Sequence, residues 1–292
     1  MDDADWRRLV NQVRSGDCLP FLGAGACSGT IPNARDLSRR YADQYGYPFD
    51  DDMDLARVMQ YALTEIRDPV DLKVELCRFF GMCGYPPSTD LAEPHSLLAS
   101  LPISTFLTTN YDDFLAVALR RVGKRPQVEL SRWWDILNHP VDPPLEATVE
   151  SPLVYHLHGN CRNPLSMVLT ESDYLTYMVN IVEFPASTGR SLLPPVVLEA
   201  MSNKPLLFIG YSLQDWTFRV LFHGLARTTP RQNQRRHVSV QLMPRVNGGA
   251  RDAEQKARRY LEHYLNGWNI SIFLGSASDF CAQLRARLDA AS

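Results

Sequence analysis

Several features that would place this 292-residue chain in a specialised class are missing from its sequence. No apolar run approaches the ~20 residues that a membrane-spanning helix needs. The six cysteines form no CxxC pair, so the sequence lacks both zinc-ribbon spacing and the dense framework of a small secreted protein. The 30 Lys and Arg residues are balanced by 33 Asp and Glu residues, which argues against a basic nucleic-acid-binding surface. Residues 1–6 are acidic where a signal peptide would be basic and then apolar. We therefore expect a cytoplasmic protein with free thiols that binds neither membranes nor nucleic acids.

The composition is that of an ordinary globular protein, with 45% hydrophobic and 22% charged residues. Six short segments rich in Leu, Ile, Val and Phe are typical of buried strands, and turn residues follow them. These predicted strands are 19–22, 103–107, 153–157, 206–209, 238–242 and 270–274. Glycine or polar residues come directly after the first four, and ligands bind at that edge of an open parallel sheet. The pattern predicts an α/β fold with a Rossmann-like parallel sheet.

Apolar residues at helical spacing occupy much of the remaining sequence. The clearest helices are predicted around 253–265 and 278–288, and others after Asn110 and Asp215. We interpret three further stretches as insertions that form a smaller, mostly helical cap over the strand ends. The prediction is a single domain, 1–292, with a sheet core of approximately 15–32, 101–122, 152–160 and 204–292, and cap insertions of approximately 33–100, 123–151 and 161–203.

The first predicted strand ends in the segment Gly23-Ala24-Gly25-Ala26-Cys27-Ser28. Glycine permits a tight turn close to a diphosphate, and a following helix would supply N–H donors and the positive end of its dipole. As a dinucleotide fingerprint the segment is incomplete, because GxGxxG requires glycine at position 28. Taken alone, the segment fits an ordinary strand-to-helix turn equally well.

The second predicted strand runs into Thr108-Thr109-Asn110-Tyr111-Asp112-Asp113. The Asn110 amide can donate and accept hydrogen bonds, so it could hold a ribose hydroxyl or a water molecule. Asp112 or Asp113 could accept a hydrogen bond from an amide such as that of nicotinamide. The alternative is a helix N-cap, where Asn and Asp are common without any ligand.

Two histidines, His156 and His158, lie two residues apart at the end of the third predicted strand. A regular strand would place them on the same face, as a metal site requires, but no third ligand is apparent nearby. His158, beside Gly159, is better placed to act as a general base near neutral pH, with a structural role as the alternative. The other histidines have no such context and are interpreted as structural: His95, His139, His223, His237 and His263.

The fourth predicted strand is followed by Gly210-Tyr211-Ser212-Leu213-Gln214-Asp215. Gln214 stands where the GxSxG pattern of hydrolase nucleophiles requires glycine. The sequence also contains neither a P-loop nor an HExxH motif. A serine hydroxyl and backbone N–H groups at this edge would instead suit contact with phosphate or ribose.

Four motifs in chain order, GAG at 23–25, TTNYD at 108–112, HG at 158–159 and GYS at 210–212, together carry a family resemblance. The sequence resembles the sirtuin family, most closely a bacterial sirtuin-like branch of stand-alone NAD hydrolases that act in antiphage defence. The resemblance spans roughly residues 18–290 and implies a dinucleotide-binding sheet, a smaller cap and NAD in the cleft between them. Deacylating sirtuins carry four zinc cysteines in two CxxC pairs, which this sequence lacks. The resemblance therefore implies no zinc and places a deacylase role in doubt.

The resemblance also implies roles for individual residues. Two are catalytic: Asn110, which would meet the nicotinamide ribose or the attacking water, and His158. A larger set would contact NAD. Its members are Gly23, Ala24 and Gly25 at the diphosphate, Cys27 or Ser28 where the family has a small serine, Asp112 at the nicotinamide amide, and Gly210 with Ser212.

The function that the resemblance implies is an NAD⁺ glycohydrolase that releases nicotinamide and ADP-ribose and depletes NAD on phage infection. One alternative keeps the site but transfers the ADP-ribose, as a sirtuin-type deacylase or an ADP-ribosyltransferase. Another is a non-catalytic module that senses NAD or ADP-ribose, although binding alone needs no general base. No sensor domain is evident, so we expect control by homo-oligomerisation or by a partner protein, such as a ring-forming ATPase or a nucleotide-sensing subunit.

Overall fold

The computed structural model describes residues 1–66, 68–87, 90, 92–135, 145–188, 191–211, 235–242 and 251–290, with side chains outside 182–188 and 251–254. The strands in these ranges are β1 (Leu19–Leu22), β2 (Thr105–Thr108), β3 (Gln127–Leu130), β4 (Leu153–His156), β5 (Leu206–Ile209), β6 (His237–Gln241) and β7 (Ile270–Leu274). They form one seven-stranded sheet in the order β3-β4-β2-β1-β5-β6-β7. Every neighbouring pair is parallel, which confirms the predicted Rossmann-like α/β fold.

Helices connect the strands and cover the sheet. Within the described ranges they are α1 (Asp3–Arg14), α2 (Ala34–Tyr45), α3 (Leu55–Ala62), α4 (Pro69–Met82), α5 (Pro94–Ser100), α6 (Phe114–Arg121), α7 (Glu171–Thr188), α8 (Pro195–Asn203), α9 (Arg251–Asn266) and α10 (Ala277–Ala290). Two short 3₁₀ helices, Ala24–Cys27 and Pro164–Ser166, follow β1 and β4. Among the described residues, no helix has both the length and the apolar character that crossing a membrane requires.

Polar side chains set where several of these helices begin. Asp2 and Asp5 form a capping box at the start of α1, so two backbone N–H groups without a helical partner are satisfied. At the start of α2 the Asn33 side chain accepts hydrogen bonds from two backbone N–H groups, and Asp54 does the same at the start of α3. Asp68 accepts a hydrogen bond from Val70 at the start of α4, where Pro69 fits because the first helical turn needs no N–H donor.

All six strands predicted from apolar segments are present, with bounds that differ by at most two residues. No apolar segment predicts β3, which pairs in parallel with β4 at the edge of the sheet. Its sequence, Gln127-Val128-Glu129-Leu130, alternates polar and apolar residues, and all four are only half-buried. An edge strand is covered incompletely, so it lacks the continuous apolar run by which the other strands were recognised.

Two hydrophobic layers cover the sheet. Helices α1, α5, α6 and α10 contribute to the first, and their core residues include Trp6, Leu98, Leu119 and Phe280. Helices α8 and α9 contribute to the second, with Val197 and Leu265 among its buried residues. The helix that the sequence predicts after Asp215 lies outside the described residues.

Helices α2, α3 and α4 form a third hydrophobic cluster, within the range 33–100 that is predicted to belong to the cap. Helices α2, α3 and α4 pack around Tyr41, Met59 and Leu72, together with Met167 and Leu169 from the segment after β4. The predicted insertion bounds need correction at three elements. Helices α5 and α8 and strand β3 lie within the ranges assigned to the cap, yet they belong to the sheet and its layers. Helical spacing identifies a helix but does not identify the surface against which it packs.

Candidate functional site

The turns after β1 and β5 meet at the carboxyl edge of the sheet. The Gly25 N–H donates to the Gly210 carbonyl at 2.8 Å, and the Gly23 N–H donates to the Ile209 carbonyl at 3.0 Å. Gly210 has a φ of +69°, and a Cβ there would lie 2.0 Å from the Ala26 nitrogen. Only glycine can occupy this position without displacing the backbone.

The predicted helix after the glycine turn is a single 3₁₀ turn, Ala24–Cys27. It ends because Ser28 leaves the helical region, with φ −54° and ψ 132°, and Gly29 has a φ of +89°. The expected long-helix dipole is therefore missing at this turn. Ala24 and Ser28 are exposed, whereas Cys27 is buried.

Asn110 joins the end of β2 to this turn. Its Nδ2 donates to the Gly23 carbonyl at 3.1 Å and lies 3.2 Å from Cys27 Sγ. Its backbone N–H donates to Thr108 Oγ1 at 3.0 Å. Asn110 does not cap α6, because the first amide of that helix, from Phe114, donates to Asp112 Oδ1 at 3.0 Å. The N-cap residue of α6 is Asp113, which makes no side-chain capping bond, and Asn110 is buried against the turn after β1.

Cys27, rather than the neighbouring Ser28, faces the residues that follow β2. Its thiol donates to Asp112 Oδ2 at 3.2 Å, while Ser28 Oγ donates to the Gly25 carbonyl at 2.9 Å. Burial and the adjacent Asp112 carboxylate raise the pKa of Cys27 well above its ordinary value. Cys27 is therefore a neutral thiol. Asp113, the other acidic candidate, forms an ion pair with Arg162 at 2.9 Å at the surface.

His95 completes this cluster, although its sequence context predicts only a structural role. Its Nε2 lies 4.0 Å from Cys27 Sγ, and its Nδ1 lies 2.5 Å from Glu93 Oε1. Burial alone would raise the pKa of Glu93, but hydrogen bonds from His95 and the Ser96 amide hold it below its usual value. One signal could have located His95. It stands at the start of the helix preceding β2, and such a helix begins at the carboxyl edge of a parallel sheet.

The two histidines at the end of β4 contact different partners. His156 Nδ1 donates to the Asn110 carbonyl at 2.9 Å, and burial lowers the pKa of His156, so its imidazole is neutral. His158 is 2% exposed and packs edge-on against Tyr174 and Tyr177 of α7, at centroid distances of 5.4 and 5.2 Å. The strand ends at His156, so the regular alternation that would place both on one face does not extend to His158.

A small cavity lies among these groups. It has a volume of about 10 Å³, roughly the size of one water molecule, and its lining includes His95, Asn110, Asp112 and His156. A larger, open groove of about 680 Å³ lies on the cap, between residues that include Phe49, Arg57 and Glu171. None of the predicted site residues lines this groove.

Five of the predicted site residues thus meet at one place: Gly23, Gly25, Cys27, Asn110 and Asp112, with Gly210 packed behind the glycine turn. His158 is buried beside α7, and Ser212 lies outside the described residues. The cluster offers a neutral thiol, a carboxylate, an amide and an imidazole within a buried pocket. These groups can bind and orient a polar ligand by hydrogen bonds.

Comparison with known proteins identifies several relatives. The chain is 28% identical to the NAD(+) hydrolase ThsA of Acinetobacter baumannii over 80% of this chain and 44% of that protein. It is 26% identical to the NAD(+) hydrolase ThsA of Enterococcus faecium over 80% of this chain and 45% of that protein. The chain therefore spans less than half the length of these relatives.

A solved structure from work on the mechanism and regulation of Sir2 enzymes aligns with 99% of this chain and 98% of its own, at 11% identity and a TM-score of 0.44. The family model described as the SIR2-like domain matches residues 104–273. This range covers more than half of the chain and contains three of the four motifs: those after β2, β4 and β5. The chain belongs to the SIR2-like domain family.

Proposed function

We propose that this protein is an NAD⁺ hydrolase that cleaves the N-glycosidic bond to nicotinamide and releases ADP-ribose. One observation carries the proposal. Asn110, from the TTNYD motif, donates directly to the Gly23 carbonyl of the GAG turn and contacts Cys27. Two motifs separated by more than 80 residues thus build one polar pocket at the ligand-binding edge of a parallel sheet. The relatives named NAD(+) hydrolase, aligned over 80% of the chain, support the same reaction.

In the proposed mechanism, the turn at Gly23, Ala24 and Gly25 holds the diphosphate of NAD. The glycine turn lets the ligand approach the backbone, and the exposed Ala24 marks its open side. Gly210 supports the turn from behind, and Ser212 is proposed to contact the ligand from the neighbouring motif. Asp112 accepts a hydrogen bond from the nicotinamide amide.

Bond cleavage proceeds through an oxocarbenium-like state at the C1′ carbon of the ribose. The C1′–N bond breaks, its electron pair passes to nicotinamide, and the oxygen of a water molecule forms the new bond to C1′. Asn110 orients the ribose or this water, and His158 accepts a proton from one of them. The nicotinamide ring of NAD⁺ is positively charged and leaves as a neutral molecule, so its departure needs no metal to stabilise a negative charge.

We expect the purified chain to consume NAD and release nicotinamide with water as the sole acceptor. Liquid chromatography of nicotinamide and ADP-ribose, formed in equal amounts, measures this directly. The Asn110→Ala variant, purified in the same way, is the matched control. It should lose most of the turnover of NAD. NAD consumption that requires an acyl-lysine peptide or a protein acceptor would instead support a transferase. Binding of NAD without any turnover would contradict hydrolysis and support a sensing module.

The position of His158 supports a proposal about control. Tyr174 and Tyr177 of α7 cover the His158 ring, which is 2% exposed. A substrate can reach this histidine only after the cap segment that carries α7 moves. We propose that the cap contributes to a cleft that opens on assembly, either with further copies of the chain or with a regulatory partner protein. Such control would restrict NAD depletion in the cytoplasm to the defence response that the family resemblance implies.

The assembly proposal predicts that an isolated monomer hydrolyses NAD slowly and that the assembled form is faster. If assembly stabilises the open state by a few kcal/mol, the population of that state increases by about two to three decades. Size-exclusion fractions of monomer and oligomer, assayed side by side for nicotinamide release per chain, test this difference. A monomer that already works at the full rate of the oligomer would contradict control by self-assembly.

A further inference from the structure

We propose that Cys27, His95 and Asp112 form a binding site for a thiophilic divalent cation, with Zn²⁺ as the expected ion. One ligand atom from each residue lies within 4.8 Å of the other two. In the part of the chain that the structure describes, this is the one group of three His, Cys, Asp or Glu side chains that lie close enough together to hold a metal ion. The three residues come from separate elements: the turn after β1, the start of α5 and the segment before α6.

The distances between the ligand atoms are close to those of a coordinated ion. Cys27 Sγ lies 3.2 Å from Asp112 Oδ2 and 4.0 Å from His95 Nε2. Tetrahedral Zn²⁺, with bonds of about 2.3 Å to sulfur and about 2.0–2.1 Å to nitrogen and oxygen, places its ligand atoms roughly 3.3–3.6 Å apart. Small side-chain movements therefore complete the site. Asp112 is the half-exposed member, so the ion would enter from its side.

His95 is already held as a metal ligand would be. Its Nδ1 is hydrogen-bonded to Glu93, so the lone pair of its Nε2 is directed toward Cys27. A carboxylate that holds the second nitrogen of a metal-bound histidine is a common outer contact of zinc sites. The ring also packs edge-on against Phe114, with an interplanar angle of 88°. Two contacts thus fix the orientation of the imidazole.

The donor set selects the metal. Mg²⁺ and Ca²⁺ prefer oxygen ligands throughout, whereas a thiolate with an imidazole and a carboxylate suits Zn²⁺. On binding, the Cys27 S–H bond breaks, a sulfur–zinc bond forms and one proton passes to solvent. The three protein ligands leave a fourth position for water, and no electron transfer is involved.

The consequence for activity rests on the proposed NAD⁺ hydrolase function. Zn²⁺ would withdraw Cys27 from Asn110 and Asp112 from its proposed contact with the nicotinamide amide. Zinc and NAD would then compete for the same residues, so the ion would act as an inhibitor. We expect EDTA to leave turnover unchanged and to reverse inhibition by added Zn²⁺.

Cobalt titration tests the site without reference to activity. The tag-free 292-residue chain is treated with EDTA, desalted and titrated with Co²⁺, whose thiolate charge-transfer and tetrahedral visible bands report the ligands directly. We expect one Co²⁺ per chain, displaced by Zn²⁺. Cys27→Ser should abolish the charge-transfer band. Glu93→Gln keeps all three ligands but weakens the outer contact, so it should lower the affinity roughly 10–100-fold.

The matched control is Cys161→Ser, because Cys161 is a half-buried thiol that is not one of the three proposed ligands and packs with Cys77 against the cluster of α2, α3 and α4. Binding that survives Cys161→Ser and is lost in Cys27→Ser supports the proposed site. Loss in Cys161→Ser alone, full binding in Cys27→Ser, or no binding by the folded wild-type chain would overturn it. Absence of NAD hydrolysis in the EDTA-treated chain would instead contradict the proposed function, and the cobalt result would still decide the metal site.

Discussion

Replacing His158 by alanine is expected to lower the turnover of NAD by about 10²–10⁴-fold, the usual contribution of a general base. The position of His158 beside Gly159, at the end of a predicted strand, favours this role. Steady-state rates of nicotinamide release, with the rate at saturating NAD separated from KM, measure the effect. A proton-transfer role predicts that the rate at saturation falls while KM changes little.

His158→Ala should also lower the stability of the fold, an effect that the position of His158 at a strand end does not predict. His158 is buried between Tyr174 and Tyr177, so truncation to alanine leaves a cavity beside α7. His158→Phe keeps a ring in this space and removes both nitrogens, which separates packing from proton transfer. The exposed His263 supplies a control in His263→Ala. Full activity in His158→Phe would show that His158 is not the general base.

His156 provides a second comparison within the same segment. Its imidazole donates to the Asn110 carbonyl, so His156→Ala should affect activity indirectly, through the position of Asn110. We expect the loss to be smaller than in His158→Ala. Equal losses at both positions would support the alternative in which the two histidines share a metal.

Gly210→Ala is expected to destabilise the fold by roughly 2–5 kcal/mol, the sum of a left-handed backbone conformation and an overpacked contact. The new Cβ would lie 2.0 Å from the Ala26 nitrogen and 2.4 Å from the Gly25 carbonyl carbon. Both are backbone atoms, so the two strand ends must separate. Because the Gly23–Gly25 turn also positions the Asn110 contact, activity should fall together with stability.

Gly46→Ala is the matched control, because Gly46 has a similar φ of +63° but no atom within 4 Å of an added Cβ. This variant should lose only the roughly 1–2 kcal/mol that the left-handed conformation costs. The midpoints of urea unfolding compare the two proteins. If both variants unfolded at the same denaturant concentration, the close approach of the two turns would not be a source of stability.

The sequence predicts the strands of this fold well where both faces are buried. Segments such as Leu206–Ile209 are continuously apolar, and they are buried on both sides in the structure. Helix α1 lies outside the predicted helices, although Trp6, Leu9 and Val13 lie on its buried side at helical spacing. Strand β3 was missed because an edge strand carries a weaker pattern.

The candidate site was predicted in its parts but not in its arrangement. Asn110 and Asp112 were singled out because polar residues that end a buried strand lie at the ligand-binding edge. Their different contacts, with the Gly23 carbonyl and with Cys27, depend on the neighbouring turn. The sequence does not decide between Cys27 and Ser28, because the directions of adjacent side chains depend on a backbone conformation that the sequence does not specify.

By itself, the sequence determined the class of fold, the strand ends that carry polar motifs and the family, because these depend on local patterns along the chain. The tertiary structure alone placed His95 against Cys27 and enclosed His158 between two tyrosines of α7. Both contacts join segments that are distant in sequence, and their formation depends on how helices pack around the sheet. Periodicity indicates which residues are buried, but only the packed chain determines which of them meet.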